Sequence, residues 1–188
     1  FKKLPEMDEF VRKDQWKKRS LYLPREVNGK TVGIIGLGKI GRIVMNYCKC
    51  LGMSVIAYDP YIKNSLENDF LMCSNMEDVF KNADVVTVHV PNLPETRGMI
   101  TEKLLRSMKP GSFFINTSRG EVVDEQSFVK VLEEGILAGA GIDVFEKEPV
   151  AEDNPLIKFK NVILSPHSAA LTNECGIKMT VEAVRQVL

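Results

Sequence analysis

The sequence predicts an α/β fold built on a doubly wound parallel sheet, and three observations predict it. Short apolar runs of strand character alternate with helical stretches along the chain, the pattern of a parallel sheet covered on both faces. The first clear run, Thr31 to Ile35, empties directly into Gly36-Leu37-Gly38-Lys39-Ile40-Gly41, and a helical segment follows. A second run, Ser54 to Tyr58, ends on Asp59, about 20 residues beyond the glycines.

The remaining elements read in order. Asp8 to Lys18 is a short helix, and Ile40 to Leu51 is the helix after the glycines. Phe70 to Cys73 is a weak strand and Met76 to Lys81 a short helix. Val85 to Val90 is apolar except for Thr87 and His89, and reads as a strand. Glu102 to Ser107 is helical and Ser112 to Asn116 is a strand. Asp124 is an N-cap, and Phe128, Val131, Leu132 and Ile136 form one apolar helical face that stops near Gly135. Ala138 to Val144 is a strand of small residues, expected to lie under a closely packed helix. Val162 to Leu164 is the last strand, and Asn173 to Leu188 a terminal helix. The chain therefore divides into an arm or linker over 1–27 and one nucleotide-binding domain over 28–188, with the terminal helix from about 173.

The glycine run has a physical role at each position. Gly36 permits a tight turn, Gly38 lets backbone approach a pyrophosphate, and Gly41 lets the helix lie close on the strand. The helix N-terminus then offers free N–H groups and a partial positive charge to phosphates. Asp59 is placed to accept from both ribose hydroxyls, and it favours NAD over NADP because a 2′-phosphate would meet like charge.

Composition narrows the partners. With 44% hydrophobic and 27% charged residues, the 188-residue chain has an ordinary globular balance. Its formal net charge is zero, so nothing draws it to nucleic acid or to an anionic membrane surface. No apolar run is long enough to span a bilayer, and no basic-then-apolar leader is expected. Cys48 and Cys50 point to different faces of their helix. With Cys73 and Cys175 they read as free thiols of a cytoplasmic protein, not metal ligands or a redox pair. The chain starts on Phe1, and 1–19 has scattered Phe1, Leu4, Phe10 and Trp16 without a core of its own, which reads as a piece of a longer or processed protein.

In a doubly wound sheet ligands bind beyond the carboxyl ends of the strands, so the residues there come first. Arg119 follows the strand ending at Asn116; its planar fork suits a carboxylate, though an ion pair with a surface Asp or Glu would serve equally. Asp143 ends the next strand, and Glu146 and Glu148 follow in a polar turn where solvation is the plain reading. His167 follows the last strand and is suited to proton transfer near neutral pH. His89, beside Pro91 and Pro94, reads as structural. Hydride chemistry on a 2-hydroxy or 2-oxo acid would use His167 as proton donor and Arg119 as carboxylate holder, with Glu148 favouring the imidazolium.

Taken together, these residues resemble the nicotinamide-binding domain of the D-2-hydroxyacid dehydrogenase family, which includes phosphoglycerate dehydrogenase. The marks run through nearly the whole chain: Gly36 to Gly41, Asp59-Pro60-Tyr61, His89-Val90-Pro91, Thr96 to Ile100, Met108 to Gly111, Asn116 to Gly120, Gly141 to Phe145, Glu148-Pro149 and Ser165-Pro166-His167. The resemblance implies a Rossmann-like NAD-binding domain and a catalytic set of Arg119, Glu148 and His167. It implies cofactor contacts from Gly36, Gly38, Lys39, Ile40, Gly41, Asp59, Val90, Thr96, Thr117, Ser118, Arg119, Asp143, His167 and Ala169, and no metal. Ser168-Ala169-Ala170 departs from the family, which often carries a glycine there.

The resemblance also implies a substrate domain that is absent from this chain. It implies an arm, Phe1 to Leu23, that contacts a partner through Phe10, Trp16 and Tyr22 in a homodimer, unless these side chains pack locally. The expected function is an NAD-dependent oxidoreductase acting on a small 2-hydroxy or 2-oxo acid, phosphoglycerate dehydrogenase-like. The alternatives are a non-enzymatic NAD-sensing corepressor of the same family and a different NAD enzyme on the same scaffold. Phosphoglycerate, glycerate, glyoxylate, lactate and longer 2-oxo acids all stay open as substrates.

Overall fold

A computed structural model describes residues 3–21, 23–62 and 70–187. Its seven strands form a single sheet: β1 (Thr31–Ile35), β2 (Ser54–Tyr58), β3 (Leu71–Met72), β4 (Val85–Val88), β5 (Ser112–Asn116), β6 (Leu137–Ile142) and β7 (Val162–Leu164). They lie in the order β3-β2-β1-β4-β5-β6-β7, and every neighbouring pair is parallel. Six α-helices connect or flank them: α1 (Leu4–Arg12), α2 (Lys39–Cys50), α3 (Met76–Asn82), α4 (Glu102–Ser107), α5 (Glu125–Glu133) and α6 (Asn173–Val187).

The chain moves outward from β1 to β3, then returns to lay β4 on the other side of β1. That reversal opens a crevice at the carboxyl ends of β1 and β4. The register aligns the ends: Ile35 pairs with Tyr58 and Val88, Val88 with Asn116, Asn116 with Ile142, and Ile142 with Leu164. The residues just past these ends therefore share one edge.

Alternation along β1 serves both faces. Val32 and Ile34 join Met45 of α2 and Val55 on one side, while Ile35 joins Val79 and Phe80 of α3 on the other. Gly33 explains how close α3 comes: a Cβ there would stand 2.5 Å from Val79 Cγ1 and 2.9 Å from Ala83 Cβ. The larger core centres on Phe114, whose ring lies 6.5 Å from Phe80 and 5.3 Å from Phe128. Each such buried side chain stabilises the fold by about 1.5–3 kcal/mol.

Several boundaries differ from expectation. The first helix runs over Leu4–Arg12, earlier than Asp8 to Lys18, because Asp14 sits at φ 54 and breaks it; a 3₁₀ turn, Trp16–Leu21, follows. β3 shrinks to Leu71–Met72. β4 ends at Val88, although the His89 N–H still donates to Ile35 O at 2.7 Å. β6 is Leu137–Ile142, so Asp143 and Val144 have left the sheet. Ala140 and Ile142 share one buried cluster with Phe128, Val131 and Leu132 of α5, while at Gly139 the room is taken by the backbone carbonyl of Asn161, 2.5 Å from a built Cβ. Asp124 caps α5 as expected, accepting from Ser127 N at 3.2 Å.

In the arm, Trp16 is exposed with the Arg19 guanidinium 5.0 Å from its ring centre, whereas Phe10 is half-buried. Phe1, Tyr22 and Leu188 lie outside the described residues. Cys48 is half-buried and Cys50 exposed, as two faces of α2 require, and burial pushes the Cys48 thiol up. Among the described residues no helix is long and apolar enough to cross a membrane.

Candidate active site

The glycine turn is built as its residue types require. Gly36 has φ +89, its N–H donates to Tyr58 O at 2.9 Å, and a Cβ there would lie 2.6 Å from His89 O. Gly41 sits in the first turn of α2, where a Cβ would lie 2.1 Å from the Gly36 carbonyl oxygen. The helix thus starts in contact with the turn, and neither position accepts a side chain. Gly38 is different: its φ is −73 and nothing lies within 4 Å of a built Cβ. The open face at Gly38 is the space a phosphate would occupy, and no side chain caps α2 there. Lys39 and Ile40 are exposed beside it.

Asp59 reaches from the end of β2 to this turn. Its Oδ2 accepts from Leu37 N and its Oδ1 from Tyr61 N, each at 2.9 Å. A carboxylate has about four acceptor positions, so among the described residues two are left unused. Val90 lines the other side, with Cγ1 2.8 Å from where a Gly36 Cβ would be. Thr96 folds the loop after β4, donating to Pro91 O at 2.6 Å and accepting from Leu93 N at 2.8 Å. His89 is held by Thr87 Oγ1 at 3.0 Å, and burial lowers its pKa.

Past β5, Asn116 organises the Arg119 loop. Its Oδ1 accepts from the Ser118 N–H at 3.0 Å and from the Ser118 hydroxyl at 2.8 Å, and its Nδ2 donates to Arg119 O at 2.9 Å. The Ser118 side chain is therefore turned inward and buried, while Thr117 and Arg119 are exposed. Arg119 Nη1 donates to Ser118 O at 2.6 Å, and among the described residues no carboxylate pairs with it. Arg119 is exposed at the strand-end edge, and no other hydrogen bond of its guanidinium is made among the described residues.

The loops after β6 and β7 meet. Glu148 Oε1 accepts from Phe145 N at 3.0 Å, and its Oε2 lies 2.8 Å from His167 Nδ1. The His167 ring, then the Phe145 N–H, hold the Glu148 carboxyl below the ordinary carboxylate range. With Nδ1 donating to Glu148, Nε2 is the nitrogen left to face a ligand.

Asp143 sits behind this pair and is buried. Its Oδ1 accepts from the Ser165 hydroxyl at 2.5 Å and Ser168 N at 2.9 Å, and its Oδ2 from Ala169 N at 3.0 Å. Its own carbonyl accepts from His167 N at 2.7 Å, which fixes His167 at φ 49. Burial pushes the Asp143 carboxyl up, but the Ser165 hydroxyl, the two amides and His167 outweigh it and the net shift is downward. The Ala169 N–H is thus spent on Asp143.

Sequence reasoning quoted Asn116, Gly120 and Ser165 only as parts of motifs, without a role of their own, and passed over Glu125. An Asn ending a strand before Thr-Ser-Arg is turn chemistry and could have flagged Asn116. Gly120 and Glu125 act on residues more than twenty positions away, which no local pattern reveals.

Known proteins are similar to this chain in sequence and fold. Residues 1–169 match the family described as D-isomer specific 2-hydroxyacid dehydrogenase, NAD binding domain. D-3-phosphoglycerate dehydrogenase of Archaeoglobus fulgidus is 38% identical over 179 residues, 95% of this chain and 34% of that protein. Glyoxylate reductase of Korarchaeum cryptofilum is 40% identical over 182 residues, 95% of this chain and 55% of that protein. A D-lactate dehydrogenase from Aquifex aeolicus, solved with NAD and lactic acid, superposes with a TM-score of 0.89 at 34% identity, covering 99% of this chain and 60% of its own. The chain thus spans about a third to three-fifths of the length of these relatives. The glycine turn with Asp59 beside it, and Arg119, Glu148 and His167 past the strand ends, lie within this matched stretch: the chain belongs to the D-isomer specific 2-hydroxyacid dehydrogenase family and is its NAD binding domain.

Proposed function

We propose that this chain is the cofactor half of an NAD-dependent oxidoreductase that interconverts a small D-2-hydroxy acid and its 2-oxo acid. The observation that supports it most directly is the 2.8 Å contact between Glu148 and His167 on the edge that also carries the glycine turn and Arg119. When bound, NAD supplies the hydride chemistry. In the reductive direction His167 Nε2 gives a proton to the carbonyl oxygen, and in the oxidative direction it takes the hydroxyl proton. Glu148 orients the ring and favours the imidazolium. Arg119 holds the substrate carboxylate bidentately.

On the cofactor side, Gly36, Gly38 and Gly41 seat the pyrophosphate against the start of α2, with Lys39 and Ile40 at its rim. Asp59 takes the ribose. Val90, Thr96, Thr117 and Ser118 border the crevice. Asp143 keeps one acceptor position on Oδ2 for the nicotinamide carboxamide, three being used within the protein. Ala169 contributes through its surface, since its amide is engaged.

The relatives named for phosphoglycerate and glyoxylate share one substrate chemistry, an acid with oxygen at carbon 2. We place the substrate of the whole protein in that class. No observation favours the non-enzymatic sensing role. Residues 1–27 are proposed as an arm of a cytoplasmic homodimer, with exposed Trp16 at the contact. Substituting Trp16→Ala and measuring the sedimentation of the intact protein tests that point.

The reading is tested by NADH oxidation with a panel of 2-oxo acids, using the intact protein. Turnover is expected with at least one acid and a loss of about 10²–10⁴-fold in kcat for His167→Ala. No turnover across the panel, or an unchanged rate in the variant, would refute it.

A further inference from the structure

Glu125 opens α5, and both its carboxylate oxygens leave the helix to hold another segment. Oε2 accepts from Glu146 N at 3.1 Å, and Oε1 accepts from Asn154 Nδ2 at 2.8 Å. Asn154 in turn caps the 3₁₀ turn Pro155–Lys158 by accepting from Leu156 N at 2.9 Å. Glu125 thereby grips both ends of the loop 146–154, and that loop carries Glu148.

The same loop is seated from below. A Cβ on Gly120 would lie 1.9 Å from the carbonyl carbon and oxygen of Phe145 and 2.4 Å from Glu146 N. Gly120 directly follows Arg119, and Phe145 N donates to Glu148 at 3.0 Å. Phe145 is therefore held on both sides: its N–H meets Glu148, and the Phe145–Glu146 peptide that follows meets Gly120 and Glu125.

We propose that Glu125 is a positioning residue for the reaction: by fixing the Phe145–Glu146 peptide and Asn154 it sets where Glu148 meets His167. A carboxylate suits the task because both oxygens accept. A glutamine accepts at one oxygen and sets its NH₂ against the second donor, and an alanine holds neither. A displacement of the order of 1 Å in a supporting residue can cost about 10²-fold in rate, so the effect is measurable. The activity part rests on the dehydrogenase reading; the placement of Glu148 does not.

Glu125 also supports the start of α5, so stability alone cannot test the proposal. Two readouts separate the roles. The first is the Nδ1–H proton resonance of His167 by NMR on this chain. The second is kcat with a 2-oxo acid and NADH on the intact protein. Glu125→Ala is expected to broaden or lose the Nδ1–H resonance and to lower kcat about tenfold, with the NADH dissociation constant unchanged. Glu125→Gln is expected to fall between parent and alanine. Asn154→Ala, which frees one oxygen, serves if Glu125→Ala does not fold and is expected to weaken the resonance. A sharp, unshifted Nδ1–H signal in these variants would overturn the proposal, even with a lowered melting temperature. If the parent turns over no 2-oxo acid, the dehydrogenase reading fails while the NMR comparison still decides the role of Glu125.

Discussion

Glu148 Oε2 and His167 Nδ1 lie 2.8 Å apart, although the two residues leave the sheet from different strands. The pair gives a pH signature with a definite sign. The Glu148 carboxyl is held below its ordinary value, first by His167 and then by the Phe145 N–H. Its contribution to stability is thus present above the unfolded carboxylate pKa of about 4.3 and is lost as pH falls through the lower folded value. Both side chains are substantially solvent-accessible, 35% and 48%, so screening limits the effect to under about 1 kcal/mol. Glu148→Gln is expected to be less stable than parent at pH 6 in urea unfolding, with the difference closing well below pH 4. A difference that stays constant across that range would contradict the pair.

The glycine turn separates folding from binding. Gly41→Ala places a methyl 2.1 Å from the Gly36 carbonyl oxygen and must shift backbone, so a loss of about 1–3 kcal/mol is expected. Gly38→Ala meets nothing within 4 Å at φ −73 and is expected to fold normally. Its methyl fills the phosphate approach, so NADH affinity is expected to fall about tenfold or more. Thermal unfolding and calorimetry on the two variants check this, and a Gly38→Ala chain that binds as tightly as parent would count against the proposed seat.

Asp143→Asn is the sharpest test of the loop behind the catalytic pair. The substitution turns an acceptor into an NH₂ donor against Ser165, Ser168 or Ala169, leaving a buried donor without a partner. A loss of about 1–3 kcal/mol is expected. Because the folded carboxyl is held low on balance, the loss is expected to diminish in acid, as the parent's own carboxylate protonates. Equal stability of parent and variant at neutral pH would show that the loop is held by something else.

Asp59 has two duties that one variant can separate. Its Oδ2 braces Leu37 N, and its free acceptor positions are assigned to ribose. Asp59→Asn keeps an acceptor for Leu37 and removes the negative charge, so folding is expected to be retained while preference for NADH over NADPH drops about tenfold. Dissociation constants for the two coenzymes measure it, and an unaltered ratio would remove Asp59 from cofactor selection.

Much of this was legible because the signals were local. The strands β1, β2, β5 and β7 end where apolar runs meet Gly36, Asp59, Thr117 and Ser165, and alternation with helices fixed the parallel class. Arg119, Glu148 and His167 could be placed on one edge because strand ends and ligand edges coincide in such sheets. What stayed hidden was made by contacts between distant segments. Gly33 reads as an ordinary strand residue until Val79 and Ala83 of α3 are laid against it. Gly139 likewise reads as an ordinary strand residue until the Asn161 carbonyl is laid beside it. The first helix was misplaced because its stop, Asp14 in a left-handed conformation, carries neither glycine nor proline. The place of Asp143 past a strand end was legible; its grip on Ser165, Ser168 and Ala169 exists only once β6 and β7 lie side by side.

The most direct measurement is an NADH titration of the ¹⁵N-labelled chain followed by amide chemical shifts. Saturable shifts are expected at Leu37 to Gly41, Asp59, Val90, Thr117 to Arg119 and His167 to Ala169, the row past the strand ends. Saturation without movement at the glycine turn, or no binding at millimolar coenzyme, would contradict the account.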